Sequence, residues 1–234
     1  MEVLVDYDNL GTDVKRNGLF ALCAKLGAIV GSRRDFVPEN CRVRLYGGWY
    51  DESGLTRQAQ RIISEIDVTF PDPVAWTARL EQGKCVTQVE MAYTLLAEPG
   101  RHLLRTLRNR KFRAKIKCDT AVFGDCNEKY CPMREVADFL DQQKCPTYAC
   151  SVLQEDVLYK WEQKLVDTMI TSDLIFFAHQ GEKDLIVVSS DDDMWPGVRT
   201  ALEFGANITL VQTRQRQTSA DYTRGVAGFE QVTL

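Results

Sequence analysis

Two short apolar runs, each followed by aspartate, constrain the fold of this chain more than any other feature. Residues 3–5 (Val-Leu-Val) lead into Asp6, and residues 185–188 (Leu-Ile-Val-Val) lead to Asp191 and Asp193. Short runs rich in β-branched residues are typical of strands buried in a parallel sheet. Ligands of open α/β sheets bind beyond the carboxyl ends of such strands, which is where these acids would lie.

Helix and strand patterns alternate through much of the remaining chain. Besides residues 3–6 and 184–190, strands are predicted at residues 41–50, ended by Gly47-Gly48, and at residues 207–211. Helices are predicted at residues 18–27, 56–66, 156–178 and 195–204. This alternation predicts one α/β domain over residues 1–234, with a parallel sheet flanked by helices. Residues from about 67 to 155 interrupt it with repeated prolines and are interpreted as an insertion.

The acids at the strand ends predict a site for a divalent metal ion. Carboxylates in one crevice repel each other and raise each other's pKa unless a cation lies between them. Asp6, Asp191 and Asp193 are therefore predicted metal ligands, joined by Asp167 from a predicted helix. Two simpler interpretations stay open, because acids ahead of a helix can cap it, which fits Asp192 best, and Asp6 can be a turn residue.

Two further charged residues lie in the predicted helix 156–178. Asp173 falls on its apolar face and is expected to be a buried, hydrogen-bonded acid that supports the site. Lys164, Asp167 and Thr171 share another face. Lys164 is therefore expected either to form a helix ion pair with Asp167 or to contact phosphate.

Three segments, in this order and context, resemble the NYN domain, a branch of the PIN-like nuclease superfamily. They are Asp-Tyr-Asp-Asn at 6–9, Lys-Leu-Val-Asp at 164–167 and Ser-Asp-Asp-Asp at 190–193. The resemblance covers roughly residues 2–66 and 156–211. It implies a PIN-like three-layer parallel sheet and an acidic site that holds Mg²⁺ or Mn²⁺ for the hydrolysis of RNA phosphodiesters. The residues it implies for catalysis are Asp6, Asn9, Asp167, Asp191 and Asp193, with the four aspartates as metal ligands.

The sequence departs from the family pattern at two positions. Ser190 stands where glycine is usual, and Met194 stands where an aromatic residue is frequent. Neither change removes a ligand, although Ser190 would narrow the approach of a phosphate to the backbone. Mg²⁺ prefers carboxylate oxygens and retained waters, which agrees with this residue set. His102 and His179 are the chain's histidines, and this scarcity argues against a histidine-based ribonuclease.

A basic stretch between Arg101 and Lys117 contains eight lysines and arginines and no acid. Helical periodicity predicts one basic face for its first part, and residues 112–117 alternate as on a half-exposed strand. In a chain of net charge −4, such a patch is typical of a surface that binds a phosphate backbone, RNA first and DNA second. A solvated basic face paired with acids is the simpler interpretation and stays open. The predicted nucleic-acid contacts are Arg101, Arg105, Arg108, Arg110, Lys111, Arg113, Lys115, Lys117 and Lys164.

Five of the eight cysteines crowd into residues 118–150. The pairs Cys126–Cys131 and Cys145–Cys150 have spacings at the wide end of those found in tetrahedral zinc sites, and Cys118 is an alternative ligand. A structural Zn²⁺ that braces this segment and a set of free buried thiols both agree with the pattern. The remaining three, Cys23, Cys41 and Cys85, are expected to be small buried hydrophobic residues.

The sequence as a whole predicts a cytoplasmic, metal-dependent endoribonuclease. No run approaches the ~20 apolar residues of a membrane span, so no membrane partner is expected, whereas a monomer and a homodimer are both compatible with the sequence. One alternative is a phosphatase of the haloacid dehalogenase class that uses Asp6 and Asp8. The other is an RNA-binding regulatory protein without catalytic activity. Asp8 is essential to the phosphatase and nearly dispensable to the nuclease.

Overall fold

A computed structural model describes residues 1–111, 116, 118–119, 131–214 and 225–234. The chain forms two compact units. The first contains Met1–Leu107 and Gln163–Leu234, and the second contains Arg108–Glu162. The strands are β1 (Glu2–Asp6), β2 (Asn40–Tyr46), β3 (Tyr50–Asp51), β4 (Gly54–Leu55), β5 (Asp72–Thr77), β6 (Gln82–Met91), β7 (Leu107–Lys111), β8 (Tyr159–Gln163), β9 (Asp184–Val188), β10 (Asn207–Gln212) and β11 (Phe229–Thr233). The helices are α1 (Thr12–Gly31), α2 (Arg57–Thr69), α3 (Pro132–Gln142), α4 (Gln154–Val157), α5 (Val166–His179) and α6 (Trp195–Glu203).

The first unit is built on a seven-stranded sheet, which confirms the α/β class. Its strand order is β11-β10-β9-β1-β2-β6-β5. Neighbouring strands pair in parallel except for β5, which runs antiparallel to β6. The sheet is therefore mixed rather than parallel throughout. The strands at 3–6, 41–50, 184–190 and 207–211 were predicted correctly to within a few residues at their ends.

Helices cover both faces of this sheet. Val3 and Val5 on β1 pack into a core with the buried side of α1 and with Ala59 and Ile62 of α2. Leu4, between them, points to the other face and packs into a second core with α5 and α6. Because side chains of a strand alternate between faces, an apolar run such as 3–5 is what two such cores require.

Helix α1 is longer than the sequence predicts, since it continues through Gly27 to Gly31. A Cβ atom on Gly27 would lie 2.6 Å from the carbonyl oxygen of Ala75, and one on Gly31 would lie 2.5 Å from that of Thr77. The two glycines therefore allow the helix to pack closely against β5. Gly27 resembles a helix-ending residue in the sequence, but its actual role is this close contact.

Three features of the chain after Ile66 differ from the prediction. Residues 156–178 are not one helix: α4 ends at Val157, β8 follows, and Leu165, with a φ of 70°, precedes α5. The insertion begins later than residue 67, because β5 and β6 pair with the main sheet and the second unit starts at Arg108. The polar C-terminal segment supplies β11, an edge strand parallel to β10.

The second unit contains most of β7 and β8, with α3 and α4. Ion pairs link Arg110 to Glu162 at 3.7 Å and Lys111 to Asp156 at 3.6 Å. On α3, Ala137 is buried. Large apolar side chains of this unit are exposed, among them Met133, Val136, Tyr148, Val157, Tyr159 and Trp161.

Candidate active site

The order of the strands places a crevice at the carboxyl ends of β1 and β9. From β1 the chain passes through α1 to β2 on one side, whereas from β9 it passes through α6 to β10 on the other side. The adjacent connections therefore diverge between β1 and β9. In open α/β sheets, a ligand binds at such a divergence, outside the carboxyl ends of the strands. Asp6 ends β1, and residues 189–193 directly follow β9.

Asp6 is the most deeply buried acid of this crevice, with 3% of its surface exposed. Its Oδ1 accepts a hydrogen bond from the backbone N–H of Asn9 at 3.2 Å, and its Oδ2 accepts one from the Ser189 hydroxyl at 3.3 Å. Burial raises the pKa of Asp6 to about 6, and the charges of Asp167 and Asp8 add to the effect while the two hydrogen bonds oppose it. Near neutral pH this carboxylate carries a charge that its surroundings disfavour.

Asp167 lies in the first turn of α5 and faces the acids that follow β9. Burial raises its pKa, and the charges of Asp191 and Asp193 raise it further. The charge of Asp167 raises the pKa of Asp6, and the charges of the two acids after β9 raise the pKa of Asp167. Asp167 is thus within electrostatic reach of each of the other three predicted acids.

Asp191 begins the short 3-10 turn Asp192–Met194. Its Oδ1 accepts a hydrogen bond from the backbone N–H of Asp193 at 3.1 Å, and its own N–H donates to the Ser189 hydroxyl oxygen at 3.1 Å. The interpretation of Asp192 as the capping acid was therefore wrong, because Asp191 fills that position. Asp191 therefore caps the 3-10 turn, and its charge also raises the pKa of Asp167.

Asn9 joins the loops that follow three neighbouring strands. Its Oδ1 accepts hydrogen bonds from the backbone N–H of Ser190 at 3.2 Å and from the Thr213 hydroxyl at 2.7 Å. The Ser190 hydroxyl oxygen accepts from the backbone N–H groups of Thr213 at 2.8 Å and Arg214 at 3.1 Å. Ser190, where the NYN pattern has glycine, therefore fixes the end of β10. Thr213 was missed by sequence reasoning, and its position directly after β10 was the only signal for it.

Asp8 holds the same loop from the other side. Its Oδ2 accepts a hydrogen bond from the backbone N–H of Gly48 at 2.8 Å, and its Oδ1 accepts one from the Gln58 side chain at 2.7 Å. Lys15 donates to the carbonyl oxygen of Asp8 at 3.0 Å. Both carboxylate oxygens are engaged, so Asp8 anchors the loop to the end of β2 and to α2.

Asp173 is fully buried, as predicted, in a polar cluster beneath the crevice. Its Oδ2 accepts hydrogen bonds from Arg44 Nε at 3.1 Å and from the Tyr46 hydroxyl at 2.8 Å. Its Oδ1 accepts from the backbone N–H of Leu96 at 2.8 Å. Burial raises its pKa although these donors and the guanidinium oppose the change. The cluster fixes α5, and hence Asp167, against β2.

Lys164 lies before α5 and not on it, so the predicted helix face shared with Asp167 does not exist. Its backbone N–H donates to the carbonyl oxygen of Thr106 at 2.8 Å. Thr171 does lie on α5, where it packs against Gly197 of α6. A Cβ atom on Gly197 would approach the Thr171 Cγ2 to 2.6 Å.

The donor set of the crevice suits a hard cation, although it is not a closed cage. Within the described part of the chain, no three His, Cys, Asp or Glu side chains converge closely enough to hold one ion. Mg²⁺ keeps several waters and binds proteins through one or two carboxylates, so it does not require such a cage. A carboxylate whose pKa is raised by a neighbouring carboxylate, as at Asp6 and Asp167, gains from a nearby cation. The residues present therefore fit a hydrated divalent ion.

The basic stretch differs from its prediction. Residues 101–106 form no helix, and Arg105 has a φ of 60°, so Arg101, Arg105 and Arg108 do not share a helical face. Arg105 pairs with Glu52 at 2.6 Å, and Arg110 and Lys111 pair with acids of the second unit. For these three residues, the ion pairs agree with the simpler interpretation of a paired basic face, while contact with a phosphate backbone stays a prediction. The predicted contacts Arg113, Lys115 and Lys117 lie outside the described residues.

The predicted zinc cysteines are only partly described. Cys131, Cys145 and Cys150 are free thiols of intermediate burial, whereas Cys126 lies outside the described residues. Hydrogen bonding to Thr147 and Cys150 lowers the pKa of Cys145, which places the two thiols of this pair together. Cys23, Cys41 and Cys85 are buried as expected. Cys41 and Cys85 also contact each other, and this contact lowers the pKa of Cys85.

A cavity of about 300 Å³ lies at the opposite, amino-terminal edge of the sheet. Arg34, Phe36 and Asp184 contribute to its lining. It contains none of the acids discussed above, so its volume does not bear on their chemistry.

Comparison of the chain with protein-family models, with curated proteins and with solved structures found no match. Among the described residues, no helix is long and apolar enough to cross a membrane.

Proposed function

We propose that this protein is a divalent-metal-dependent nuclease that hydrolyses RNA phosphodiesters, and that its first unit is a PIN-like domain related to NYN nucleases. The observation that carries the proposal is the electrostatic interaction of Asp167 with Asp6, which ends β1, and with Asp191 and Asp193, which follow β9 at the divergence of the two strands. At this position, Asp6 and Asp167, whose pKa values are raised by burial and by neighbouring carboxylates, are better explained by the binding of a cation and a phosphate than by a contribution to stability.

Asp6, Asp167, Asp191 and Asp193 would hold Mg²⁺ or Mn²⁺, directly or through water. When bound, such an ion neutralises the scissile phosphate and supplies a nucleophile near neutral pH. The protein itself holds the acids in place: Asn9 ties the loop after β1 to Ser190 and Thr213, and Asp8 ties it to Gly48. These contacts hold Asp6 opposite the acids that follow β9.

The test is cleavage of end-labelled RNA and matching DNA in Mg²⁺, Mn²⁺ or EDTA by wild type and Asp191→Asn. Asparagine keeps the acceptor for the Asp193 N–H and removes only the charge. Asp192→Asn is the matched control, because it removes an exposed charge from the same turn. We expect cleavage that requires the divalent ion, is lost in Asp191→Asn and persists in Asp192→Asn. Loss of cleavage in both variants, or cleavage in EDTA, would contradict the proposal.

The phosphatase alternative has less support. It needs Asp8 as a proton donor to the substrate, but both Asp8 oxygens accept hydrogen bonds from Gly48 and Gln58. The remaining alternative is an RNA-binding protein without turnover. It predicts full-length RNA in every reaction from folded protein that still shifts RNA on a gel.

Two further parts of the proposal concern the cysteine-rich segment and the basic stretch. A structural Zn²⁺ held by Cys131, Cys145 and Cys150 with Cys126 or Cys118 remains the proposed brace of this segment. Metal analysis of the purified protein by mass spectrometry tests it, and a zinc content near zero in freshly purified protein would contradict it. The basic residues from Arg101 to Lys117 remain the proposed contacts to the phosphate backbone.

A further inference from the structure

Strand β8 of the second unit carries two large aromatic side chains that are more than half exposed. Tyr159 and Trp161 expose 55% and 54% of their surfaces. By contrast, Trp49 and Trp76 in the first unit expose 0% and 3%. Side chains two residues apart on a strand point to the same face. The two rings therefore stand side by side on one face of β8.

The neighbouring strand supplies positive charge to this small sheet. Strands β7 and β8 lie next to each other, and the Arg110–Glu162 ion pair places these two side chains on a common face. Alternation along the strands then places Lys111 on the opposite face, with the aromatic rings. By the same alternation, Arg108, Arg110 and Lys160 lie with Glu162 on the opposite face. Lys111, which also pairs with Asp156 at 3.6 Å, is therefore the strand cation that lies beside the rings.

We propose that this face of β7 and β8 binds single-stranded nucleic acid, with nucleobases stacked on Tyr159 and Trp161 and a phosphate attracted by Lys111. Exposed aromatic rings on a strand, beside lysine and arginine, are how single strands are bound without sequence readout. A duplex keeps its bases stacked on each other and presents no free base faces. The face therefore selects single strands over duplexes.

This inference deepens the proposed function, and it rests on that function only in taking the bound strand as the substrate of the acidic site. The two units are joined covalently at residues 107–108 and 162–163. A strand held by the second unit is thus kept at high effective concentration for the first. Removing the rings should raise KM on single-stranded substrate and leave kcat nearly unchanged.

The direct test is fluorescence-anisotropy binding in EDTA, so that no cleavage occurs. The probes are fluorescein-labelled oligouridylate and oligothymidylate of about fifteen nucleotides, and a duplex of the same length. We expect single-strand affinity to exceed duplex affinity and to fall only moderately with salt, because stacking on the rings contributes most of the binding. Trp161→Ala and Tyr159→Ala should each raise Kd by about fivefold or more, whereas Trp161→Phe, which keeps a ring, should lose less.

Tyr148→Ala is the matched control, because Tyr148 is an aromatic residue of the same unit with 98% exposure and lies outside the strands. Its Kd should equal that of wild type. Unchanged binding by folded Trp161→Ala, or equal affinity for duplex and single strand, overturns the proposal. So does a change in self-association by sedimentation without a change in Kd, since the face would then bind protein.

The two proposals fail separately. Asp191→Asn should bind the oligonucleotides as tightly as wild type, so a lack of cleavage with intact binding counts against the nuclease alone. Cleavage that is insensitive to Trp161→Ala in both KM and kcat counts against the stacking face alone.

Discussion

Replacing Asp6 by asparagine is expected to stabilise the protein near neutral pH. Asp6 is 3% exposed, and its burial, together with the charges of Asp167 and Asp8, raises its pKa from 3.8 to about 6. The folded state therefore binds the Asp6 proton more tightly than the unfolded chain does. The free energy of unfolding must then fall as pH rises from about 4 through about 6.

The magnitude follows from the same pKa values. A pKa difference of one corresponds to about 1.4 kcal/mol, so the ionised Asp6 destabilises the folded state by up to about 3 kcal/mol above about pH 7. Asparagine keeps an acceptor for the Asn9 N–H but loses the acceptor for the Ser189 hydroxyl, which costs about 1 kcal/mol. The expected net gain is about 1–2 kcal/mol above about pH 7, and it becomes a small loss near about pH 4.

Urea unfolding of wild type and Asp6→Asn in EDTA, at about pH 4 and about pH 7.5, measures this difference directly. Asp67→Asn, an exposed aspartate of α2, is the control and should change the stability by less than about 0.5 kcal/mol at either pH. Mg²⁺ should stabilise wild type and not Asp6→Asn, because a ligand of the folded state shifts the unfolding equilibrium. A folded Asp6→Asn that is no more stable than wild type at the higher pH would refute this electrostatic reasoning.

Three further substitutions test other parts of the first unit by urea or thermal unfolding. Asp173→Ala should cost about 3–5 kcal/mol, because it leaves a buried guanidinium and two other donors without their shared acceptor; a cost under about 1 kcal/mol would contradict this. Ser190→Gly should cost about 1–3 kcal/mol through the two backbone N–H groups it leaves unpaired, and Ser190→Thr should cost less if the hydroxyl is what matters. Gly197→Ala should cost about 1–3 kcal/mol through its clash with the Thr171 methyl, and adding Thr171→Ser should restore most of the loss.

The parts of the fold that could be predicted are those in which local pattern and long-range packing agree. Strands β1 and β9 are buried on both faces, so their apolar runs are visible without knowledge of their partners. Strand β11 could not be found in this way, since its Phe-Glu-Gln-Val-Thr segment has only Val232 fully buried and is held as a strand by β10. Residues 159–163 read as part of a helix because β8, like many edge elements, owes its form to pairing rather than to propensity.

The candidate site shows the same division. The positions of the four aspartates in the fold could be predicted because Asp6 ends a strand, Asp191 and Asp193 come shortly after another, and Asp167 lies in the first turn of the helix that precedes β9. The residues that hold them could not, since Thr213, Gln58 and Gly48 act through hydrogen bonds between segments far apart in sequence. Nothing in the local sequence distinguishes a threonine that donates to Asn9 from one that faces solvent.

Asp8 changes how the nuclease and the phosphatase must be told apart. From sequence alone, Asp8→Asn separates them, because only the phosphatase needs this acid. In the structure its two oxygens accept from Gly48 and Gln58, and an amide group would direct N–H groups at one of these donors. Asp8→Asn should therefore displace the loop and lower activity in either case. The free energy of unfolding should fall by about 1–3 kcal/mol.

The phosphatase and the nuclease are better distinguished by their substrates and by a substitution at Asp191, which does not hold the loop. A phosphatase should release phosphate from small aryl phosphates and form an aspartyl phosphate (an acyl phosphate) on Asp6, detectable by mass spectrometry of acid-quenched reactions. A nuclease should leave aryl monoesters intact and cut internal phosphodiesters, with Asp191→Asn inactive and still folded. Because Asp191 faces Asp167 and contacts no Asp8 partner, loss of diester cleavage in that variant reports on the acids and not on the loop.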